Sequence, residues 1–265
     1  MGSKLPETIY YEDLLNDEFS TMKIETPYIG EKYKYLRNDC FGKIIQFLSL
    51  NIIAKPIAFF YLKFKFKHKI IGKDKLKEYK KKAYFIYGNH TQIVADALIP
   101  AFIVRPRYFK VIVHPNNTKI PFIGKFVPYL GGLPLPSDFK ATRNFLKAIN
   151  VSVEEKHQPI FIYPEAHLWP YYTKIRPFVD TSFRYPYKYN TPVFCFTNTY
   201  HKCKNKNKVQ IITYIDGPFF PDLNLSEKEN KEKLRNEVYD AMIKRSSCSD
   251  KEVIKYIKKE KTSND

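Results

Sequence analysis

Beyond residue 67, short apolar runs of the kind found in buried strands alternate with stretches of helical periodicity. The runs predict strands at 69–72, 83–87, 108–114, 159–163, 192–199 and 209–215. The stretches between them predict helices at 92–104, 121–130 and 138–155. Because such alternation is typical of a sheet covered by helices, the sequence predicts an α/β domain with a mixed sheet flanked by helices.

A capping box marks the start of a C-terminal helix. Ser226 is followed three positions later by Glu229, a pattern in which each side chain bonds to the other residue's backbone amide. Apolar residues then recur at helical spacing: Leu234, Val238 and Met242. With this helix, the α/β domain is expected to occupy residues 67–265. The charged tail from 251 to 261 is expected to be a further helix or a frayed end.

The first 66 residues have a different pattern. Residues 1–40 mix acids, tyrosines and prolines with little periodicity, and we expect an irregular arm there. Residues 41–66 are strongly apolar, but Lys55 and Pro56 interrupt them. A central lysine costs about 2.5–3.5 kcal/mol on membrane-insertion scales, and the unbroken apolar run is shorter than the ~20 residues of a membrane span. The sequence therefore predicts a pair of amphipathic helices that meet at Pro56 and do not cross a bilayer.

Two environments suit such a helix pair. It can lie in the headgroup region of an anionic membrane, or it can be buried against the protein's own core. Four lysines follow at alternate positions and match anionic lipid: Lys63, Lys65, Lys67 and Lys69. We therefore expect the membrane-associated position.

The net charge of the chain favours partners that carry phosphate. The chain has 45 Lys and Arg against 27 Asp and Glu, a formal charge of +18. Acids are concentrated near the N-terminus, because residues 1–31 hold seven of them against two lysines. Nucleic acid, an anionic membrane and a phosphorylated small molecule all match this charge. The four cysteines lack metal-binding spacing and indicate reduced thiols in a cytosolic setting.

The strongest candidate for chemistry is a histidine at the end of a predicted strand. His90 follows the apolar run 83–87, and Asp96 lies six positions further, where a new apolar segment starts. A neutral imidazole can take a proton from a hydroxyl near pH 7, and a carboxylate fixes its tautomer and stabilises the imidazolium. Residues six apart on one regular helix point about 240° apart, so a turn must separate the two. Otherwise the pair is a loop histidine and an unrelated aspartate.

The surroundings of His90 resemble the first motif of the 1-acylglycerol-3-phosphate acyltransferase family, in which Asn-His is followed by Asp. Five residues separate His90 from Asp96, where the family has four. Further blocks resemble the family's motifs in the same order: Lys119-Ile120-Pro121-Phe122-Ile123-Gly124 with Gly131-Gly132-Leu133-Pro134-Leu135, then Phe161-Ile162-Tyr163-Pro164-Glu165, then Thr191-Pro192-Val193. The similarity covers residues 67–216.

The chain departs from the family where arginines are usual. Ser137 stands where the second block usually ends in arginine. Ala166-His167-Leu168 replaces the Gly-Thr-Arg that usually follows the glutamate, so a phosphate-binding arginine is missing. Lys174 and Arg176 are the nearest basic residues that could bind a phosphate instead, because Arg forms bidentate contacts and Lys a point-charge contact. The alternative is that both are solvated surface charges.

The resemblance implies an O-acyltransferase in which His90 is the general base and Asp96 orients it. By this resemblance, we expect four further residues to bind the substrate: Asn89, Glu165, Lys174 and Arg176. Glu165 would orient the acceptor or the loop, or it is a structural carboxylate bonded to backbone amides. The implied donor is a thioester of coenzyme A or acyl carrier protein, and the acceptor is a lysophospholipid such as 1-acylglycerol-3-phosphate. No metal or bound organic cofactor is implied, and the protein is expected to be peripheral on the cytoplasmic face of a membrane.

Two other classes of function remain compatible with the residues. The longer spacing after His90 and the missing arginines allow a lipid-binding protein of the same kind that has lost activity. The basic charge, with 21 Tyr and 21 Phe, allows a nucleic-acid-binding protein in which rings stack on bases. No recognised nucleic-acid motif is present, and the basic run adjoins an apolar segment, which suits lipid better. We therefore expect no nucleic-acid partner.

Overall fold

A computed structural model describes residues 6–19, 25–104, 107–204 and 208–259. The strands are β1 Thr8–Tyr11, β2 Lys69–Ile71, β3 Phe85–Gly88, β4 Lys110–Val113, β5 Gly132–Pro134, β6 Ile160–Ile162, β7 Val193–Lys202, β8 Val209–Phe219 and β9 Lys255–Lys258. The helices are α1 Cys40–Phe66, α2 Ala95–Ile103, α3 Phe139–Asn150, α4 Arg184–Lys188 and α5 Glu227–Ser246. The predicted α/β class is confirmed, and α5 begins at the predicted capping box.

Seven of these strands form one mixed sheet, as predicted. Their order is β2-β8-β7-β3-β6-β4-β5. β7 and β8 are antiparallel, and the other neighbouring pairs are parallel. The strand β3 therefore has a parallel neighbour on each side. Because parallel strands end at the same edge of a sheet, the residues that follow β3 and β6 are brought together there.

Side chains of β3 alternate between two hydrophobic cores. Phe85 and Tyr87 pack on one face of the sheet with α3 and α5. Ile86 packs on the other face with α1 and α2. A parallel strand covered on both faces needs apolar side chains at every position, which is why residues 83–87 form an unbroken apolar run.

The helix α1 is continuous, and the predicted break at Pro56 is wrong. Pro56 cannot donate a backbone hydrogen bond, but the segment before it, Leu48–Ala54, is π-helical. There the backbone N–H of Lys55 bonds to the carbonyl of Leu50, five residues back, and the α-helix resumes through Phe66. Among the described residues, α1 is the one helix long and apolar enough to cross a membrane by length and composition.

One side of α1 packs on the α/β domain while the other is exposed. Leu50, Leu62 and Phe66 are buried in the core shared with α2. The apolar side chains on the outer side are exposed: Phe41, Ile44, Phe47, Leu48, Ile52, Ile53, Ile57, Phe60 and Phe64. Only 17 % of the apolar window of α1 is buried, unlike the core helix of a soluble protein. An exposed apolar surface of this kind marks a site that binds another protein or a membrane.

The two ends of the chain pair with each other, which corrects two expectations. β1 lies in the arm expected to be irregular, and β9 lies in the tail expected to be helical or frayed. The two strands are parallel, with Thr8 opposite Lys255. Residues 1–5, 20–24 and 260–265 of the arm and tail lie outside the described residues. Pairing between strands so far apart in sequence leaves no local signal in either segment.

The helix predicted at 121–130 is also wrong. Two short 3-10 turns, Pro115–Lys119 and Gly124–Phe126, occupy the connection between β4 and β5. Pro121, Gly124 and Pro128 interrupt the apolar periodicity of this segment. Proline removes a backbone donor and glycine costs about 1 kcal/mol in a helix interior, so the segment does not sustain a regular helix.

Candidate active site

His90 and Glu165 meet where two neighbouring strands end. His90 follows β3 by two residues, and Glu165 follows β6 by three. Because β3 and β6 are parallel neighbours, both loops leave the sheet at the same edge. The backbone N–H of His90 donates to Oε2 of Glu165 over 2.9 Å. Glu165 thereby holds the loop that carries His90.

The turn between His90 and Asp96 brings their side chains together. Nδ1 of His90 lies 2.9 Å from Oδ2 of Asp96. Asp96 lies in the first turn of α2, and its Oδ2 also accepts the backbone N–H groups of Thr91 (2.7 Å) and Gln92 (2.8 Å). These bonds fold the five intervening residues into a tight loop, so the additional residue is accommodated before the helix begins. The positive end of the helix dipole further favours a carboxylate here.

The second nitrogen of the His90 ring is free to act as a base. Because a carboxylate only accepts hydrogen bonds, Nδ1 carries the proton of the neutral ring and Nε2 is unprotonated. Nε2 bonds to no protein group in the part of the chain that the structure describes, and 26 % of the side chain is exposed. The ring stacks on Tyr163 with centroids 4.7 Å apart. Asp96 and Tyr163 therefore orient a partly exposed imidazole whose Nε2 is unpaired among the described residues.

Three residues that were not predicted support Asp96, one of them by a direct bond to its carboxylate. Its Oδ1 accepts a hydrogen bond from Nδ2 of Asn198 in β7 over 3.1 Å. Oδ1 of Asn198 in turn accepts the hydroxyl of Thr213 in β8 over 2.6 Å. The hydroxyl of Tyr163 donates to the backbone carbonyl of Asp96. An asparagine inside the apolar run 192–199 was the available signal, because a buried polar side chain needs a partner.

Asn89 is a structural bridge between β3 and β7. Its side chain is buried, and its Nδ2 donates to the carbonyl of Asn198 over 3.0 Å. Its Oδ1 accepts the backbone N–H of Asn198 over 2.8 Å. Both ends of the amide are occupied by the same residue, so the expected contact of Asn89 with substrate does not fit this geometry.

Of the two alternatives for Glu165, the structure has the carboxylate bonded to backbone amides. Besides the amide of His90, the carboxylate accepts the backbone N–H of Arg176 at Oε1 over 2.9 Å. The side chain of Glu165 is buried, and the guanidinium of Arg176 lies 3.8 Å from Oε2. Burial raises the pKa of Glu165, and Arg176 and the two amides oppose this shift. Glu165 therefore positions backbone around His90.

Arg176 is buried, so the expectation that it binds a substrate phosphate is wrong. Its side chain is 0 % exposed. The guanidinium donates to the carbonyls of Leu14 and Glu165, each over 3.2 Å, and to the carbonyl of His167. It also lies over the ring of Trp169, 4.9 Å from the centroid. Its donors are directed at the loop after Glu165 and at the N-terminal arm.

An aromatic cover formed by the chain ends supports the loop after Glu165. The ring of Trp169 stacks on Tyr256 of β9, with centroids 5.1 Å apart and an interplanar angle of 10°. Nε1 of Trp169 donates to the carbonyl of Asp17 over 2.7 Å. The backbone N–H of Trp169 donates to the carbonyl of His90 over 3.1 Å. The arm and β9 thus contact the loop that in turn contacts His90.

The surface around His90 is open and partly apolar. Ile93 and Val94, in the turn after His90, are 45 % and 46 % exposed. Lys174 is exposed and, among the described residues, makes no hydrogen bond or ion pair with His90 or Asp96. His90 therefore lies at the protein surface, beside exposed apolar side chains.

Comparison with known proteins identifies a structural relative. The fold is similar to that in a crystal structure of the 1-acyl-sn-glycerophosphate (LPA) acyltransferase PlsC from Thermotoga maritima. The TM-score is 0.50 at 19 % sequence identity, and the match covers 80 % of this chain and 84 % of that one. No family model matches the sequence, and a search of curated proteins gave no match. The resemblance predicted from the motifs is confirmed at the level of the fold.

Proposed function

We propose that this protein is an O-acyltransferase that moves a fatty acyl group from a thioester to a hydroxyl of a lysophospholipid such as 1-acylglycerol-3-phosphate. The observation that carries the proposal is the His90–Asp96 pair, in which Asp96 bonds to Nδ1 and the His90 side chain is partly exposed. Similarity of fold to a 1-acyl-sn-glycerophosphate acyltransferase supports it. The proposed donor is acyl-CoA or acyl carrier protein. The step needs no metal or bound cofactor, because a thioester is already an activated acyl group.

The proposed reaction is a direct transfer with His90 as the base. Nε2 takes the proton of the acceptor hydroxyl while its oxygen attacks the thioester carbonyl. This attack forms the new C–O bond and gives a tetrahedral intermediate, whose collapse re-forms the carbonyl and breaks the C–S bond. The departing thiolate takes the proton from the imidazolium, which restores neutral His90. Asp96 holds the ring in the required tautomer and stabilises its charged form.

Recognition of the acceptor's phosphate is assigned to Lys174 in this proposal. Arg176 has no exposed atoms to offer, since its guanidinium is bonded within the protein. Lys174 lies two residues before Arg176 and is exposed. A lysine in this position supplies a point charge for a phosphate.

We also infer that α1 attaches the protein to a membrane without spanning it. From Leu50 to Phe66 one side of the helix packs on the α/β domain, so lipid cannot surround this part of it. The outer apolar side of α1 is suited to lie at the level where headgroups meet acyl chains. The four cysteines are unpaired, which agrees with a position on the cytoplasmic face.

The test of this function is thiol release from acyl-CoA in the presence of a panel of lysophospholipid acceptors, with wild type and His90→Ala compared. Removing a general base costs about 10²- to 10⁴-fold, so His90→Ala should lose turnover by that factor. His201→Ala is a matched control, because His201 also lies beside a carboxylate, with Nδ1 3.7 Å from Asp250. The control should retain wild-type turnover.

Two results would contradict the proposal. Equal turnover of His90→Ala and His201→Ala would exclude His90 as the base. A folded wild-type protein that binds vesicles but transfers acyl groups to none of the acceptors would support the inactive lipid-binding alternative instead.

A further inference from the structure

A concavity distant in sequence from His90 lies where the start of α1 meets the connection between β4 and β5. Polar side chains that line it are Tyr33, Arg37, Thr118, Lys125 and Tyr129. Ile45 of α1 and Phe126 complete part of the wall. None of these residues takes part in the proposed acyl transfer.

The charge of this concavity favours an anion. Among the described residues, Arg37 and Lys125 are the charged groups that line it, and no acidic side chain does so. Asp39 lies close to Arg37, but its carboxylate caps α1 by accepting the backbone N–H of Gly42 over 2.7 Å. The guanidinium of Arg37 lies 5.2 Å from the centroid of the Tyr129 ring, which fixes its position over that ring. This cation–π contact orders the Arg37 side chain in the wall of the concavity.

Two residues that line this concavity each carry a buried donor without a partner among the described residues. Nε of Arg37 and the hydroxyl of Tyr33 are both buried and unbonded in the described structure. Burial raises the pKa of Tyr33 to about 12, so the hydroxyl keeps its proton and remains a donor. Buried polar groups are nearly always hydrogen-bonded, and phosphate oxygens are strong acceptors for such donors. An anionic ligand with several oxygens would give both donors a partner.

The surface beside the concavity is apolar and continuous with α1. Phe41 and Ile44, at the start of α1, are 71 % and 56 % exposed. Phe122 is 93 % exposed, two residues before Gly124 in the wall of the concavity. Its φ of 62° lies in the left-handed region, which costs a non-glycine residue about 1–2 kcal/mol. The exposed ring of Phe122 beside a cationic concavity matches the surface of a bilayer, where the acyl chains lie below a layer of phosphates.

We propose that this concavity binds the phosphate of an anionic membrane phospholipid, with Arg37 and Lys125 as its ligands and Phe122 inserted among the acyl chains. His90 does not line this concavity. The inference rests on the proposed function only in that α1 lies on a membrane.

The test is vesicle flotation with phosphatidylcholine vesicles and with phosphatidylcholine vesicles containing phosphatidic acid. It uses the full chain carrying His90→Ala, so that the outcome does not depend on turnover. Arg37→Lys keeps the charge and removes Nε. If the donors of Arg37 bind the phosphate, this variant should bind the anionic vesicles about tenfold more weakly and should bind the phosphatidylcholine vesicles as before. Lys63→Gln removes one surface charge, and this change should weaken binding to the anionic vesicles about fivefold. Arg37→Gln should lose more than Lys63→Gln.

A second pair of variants tests the apolar part. Phe122→Ser should weaken binding to both kinds of vesicle, whereas Leu223→Ser should bind as the parent does, because Leu223 is 74 % exposed but lies outside this surface. Thermal unfolding of each variant checks that the fold is intact. Unchanged binding of a folded Arg37→Lys variant to phosphatidic acid vesicles would overturn the phosphate site. Equal effects of Phe122→Ser and Leu223→Ser would overturn the insertion of Phe122 among the acyl chains. Acyl transfer by the wild type is measured separately, so failure of the proposed enzyme function is distinguishable.

Discussion

Replacing Arg176 by Met should destabilise the protein strongly, although the residue lies outside the reacting groups. Arg176 is fully buried and donates to three carbonyls, two on the loop after β6 and one on the N-terminal arm. It also faces the carboxylate of Glu165, which would otherwise be a buried charge held only by two backbone amides. Methionine fills much of the same volume, so the main effect is the lost charge and its hydrogen bonds.

The expected loss in free energy of unfolding is about 3–5 kcal/mol, the usual cost of removing one partner of a buried ion pair. A whole domain is stable by only about 5–15 kcal/mol, so this is a large fraction. For a protein of this size the melting temperature should fall by roughly 6–20 °C. Urea unfolding of Arg176→Met against wild type measures the loss. Arg184→Met is the control, because Arg184 is exposed and should change stability by less than about 0.5 kcal/mol.

The loss should also depend on pH. Burial already raises the pKa of Glu165 above its ordinary value, and Arg176→Met removes the largest opposing influence. Between the ordinary pKa of 4.5 and the raised pKa, the folded variant binds a proton at Glu165 that the unfolded chain has released. Its free energy of unfolding therefore rises as pH falls through this range. Glu165→Gln combined with Arg176→Met should recover part of the loss at neutral pH. A cost below about 1 kcal/mol, or a deficit equal at pH 5 and pH 7, would refute this account of Arg176.

Three further predictions concern the loop around His90. Asp96→Asn should lower kcat for acyl transfer by about 10²- to 10⁴-fold, because the amide cannot hold the His90 tautomer, and an unchanged kcat would exclude that role. Gly88→Ala should cost roughly 1–3 kcal/mol in urea unfolding, since a Cβ there would lie 2.0 Å from the ring of Phe196; a cost near zero would contradict the close packing. Ala166→Gly should raise the melting temperature by about 1–4 °C, because φ at Ala166 is 60°; a lower melting temperature would show that no strain is relieved.

The elements near the predicted site were largely recognisable from local pattern. The apolar runs predicted β3, β6 and β7 within a few residues, and the capping box predicted the start of α5. These signals are local, because side-chain alternation and capping involve residues a few positions apart. The position of His90 at a strand end followed from the same reasoning.

The prediction of a break in α1 was wrong for a physical reason. Proline usually ends or kinks a helix because it lacks a backbone N–H and crowds the preceding turn. Here the preceding segment is π-helical, and its shifted hydrogen bonds let the chain pass Pro56 without a break. The packing of Leu50 and Leu62 on the sheet holds both halves of the helix in line.

Local pattern along the chain was enough to establish an α/β fold, a basic net charge, a long apolar segment and a histidine placed where a buried strand ends. The groups that this histidine contacts became known from the folded arrangement: Asp96 held by Asn198 of a neighbouring strand, and Glu165 neutralised by a buried Arg176. The reason is that periodicity records which side of an element is buried, whereas the meeting of polar groups depends on how separate strands end side by side. The pairing of β1 with β9 shows the same limit, because its two partners lie at opposite ends of the chain.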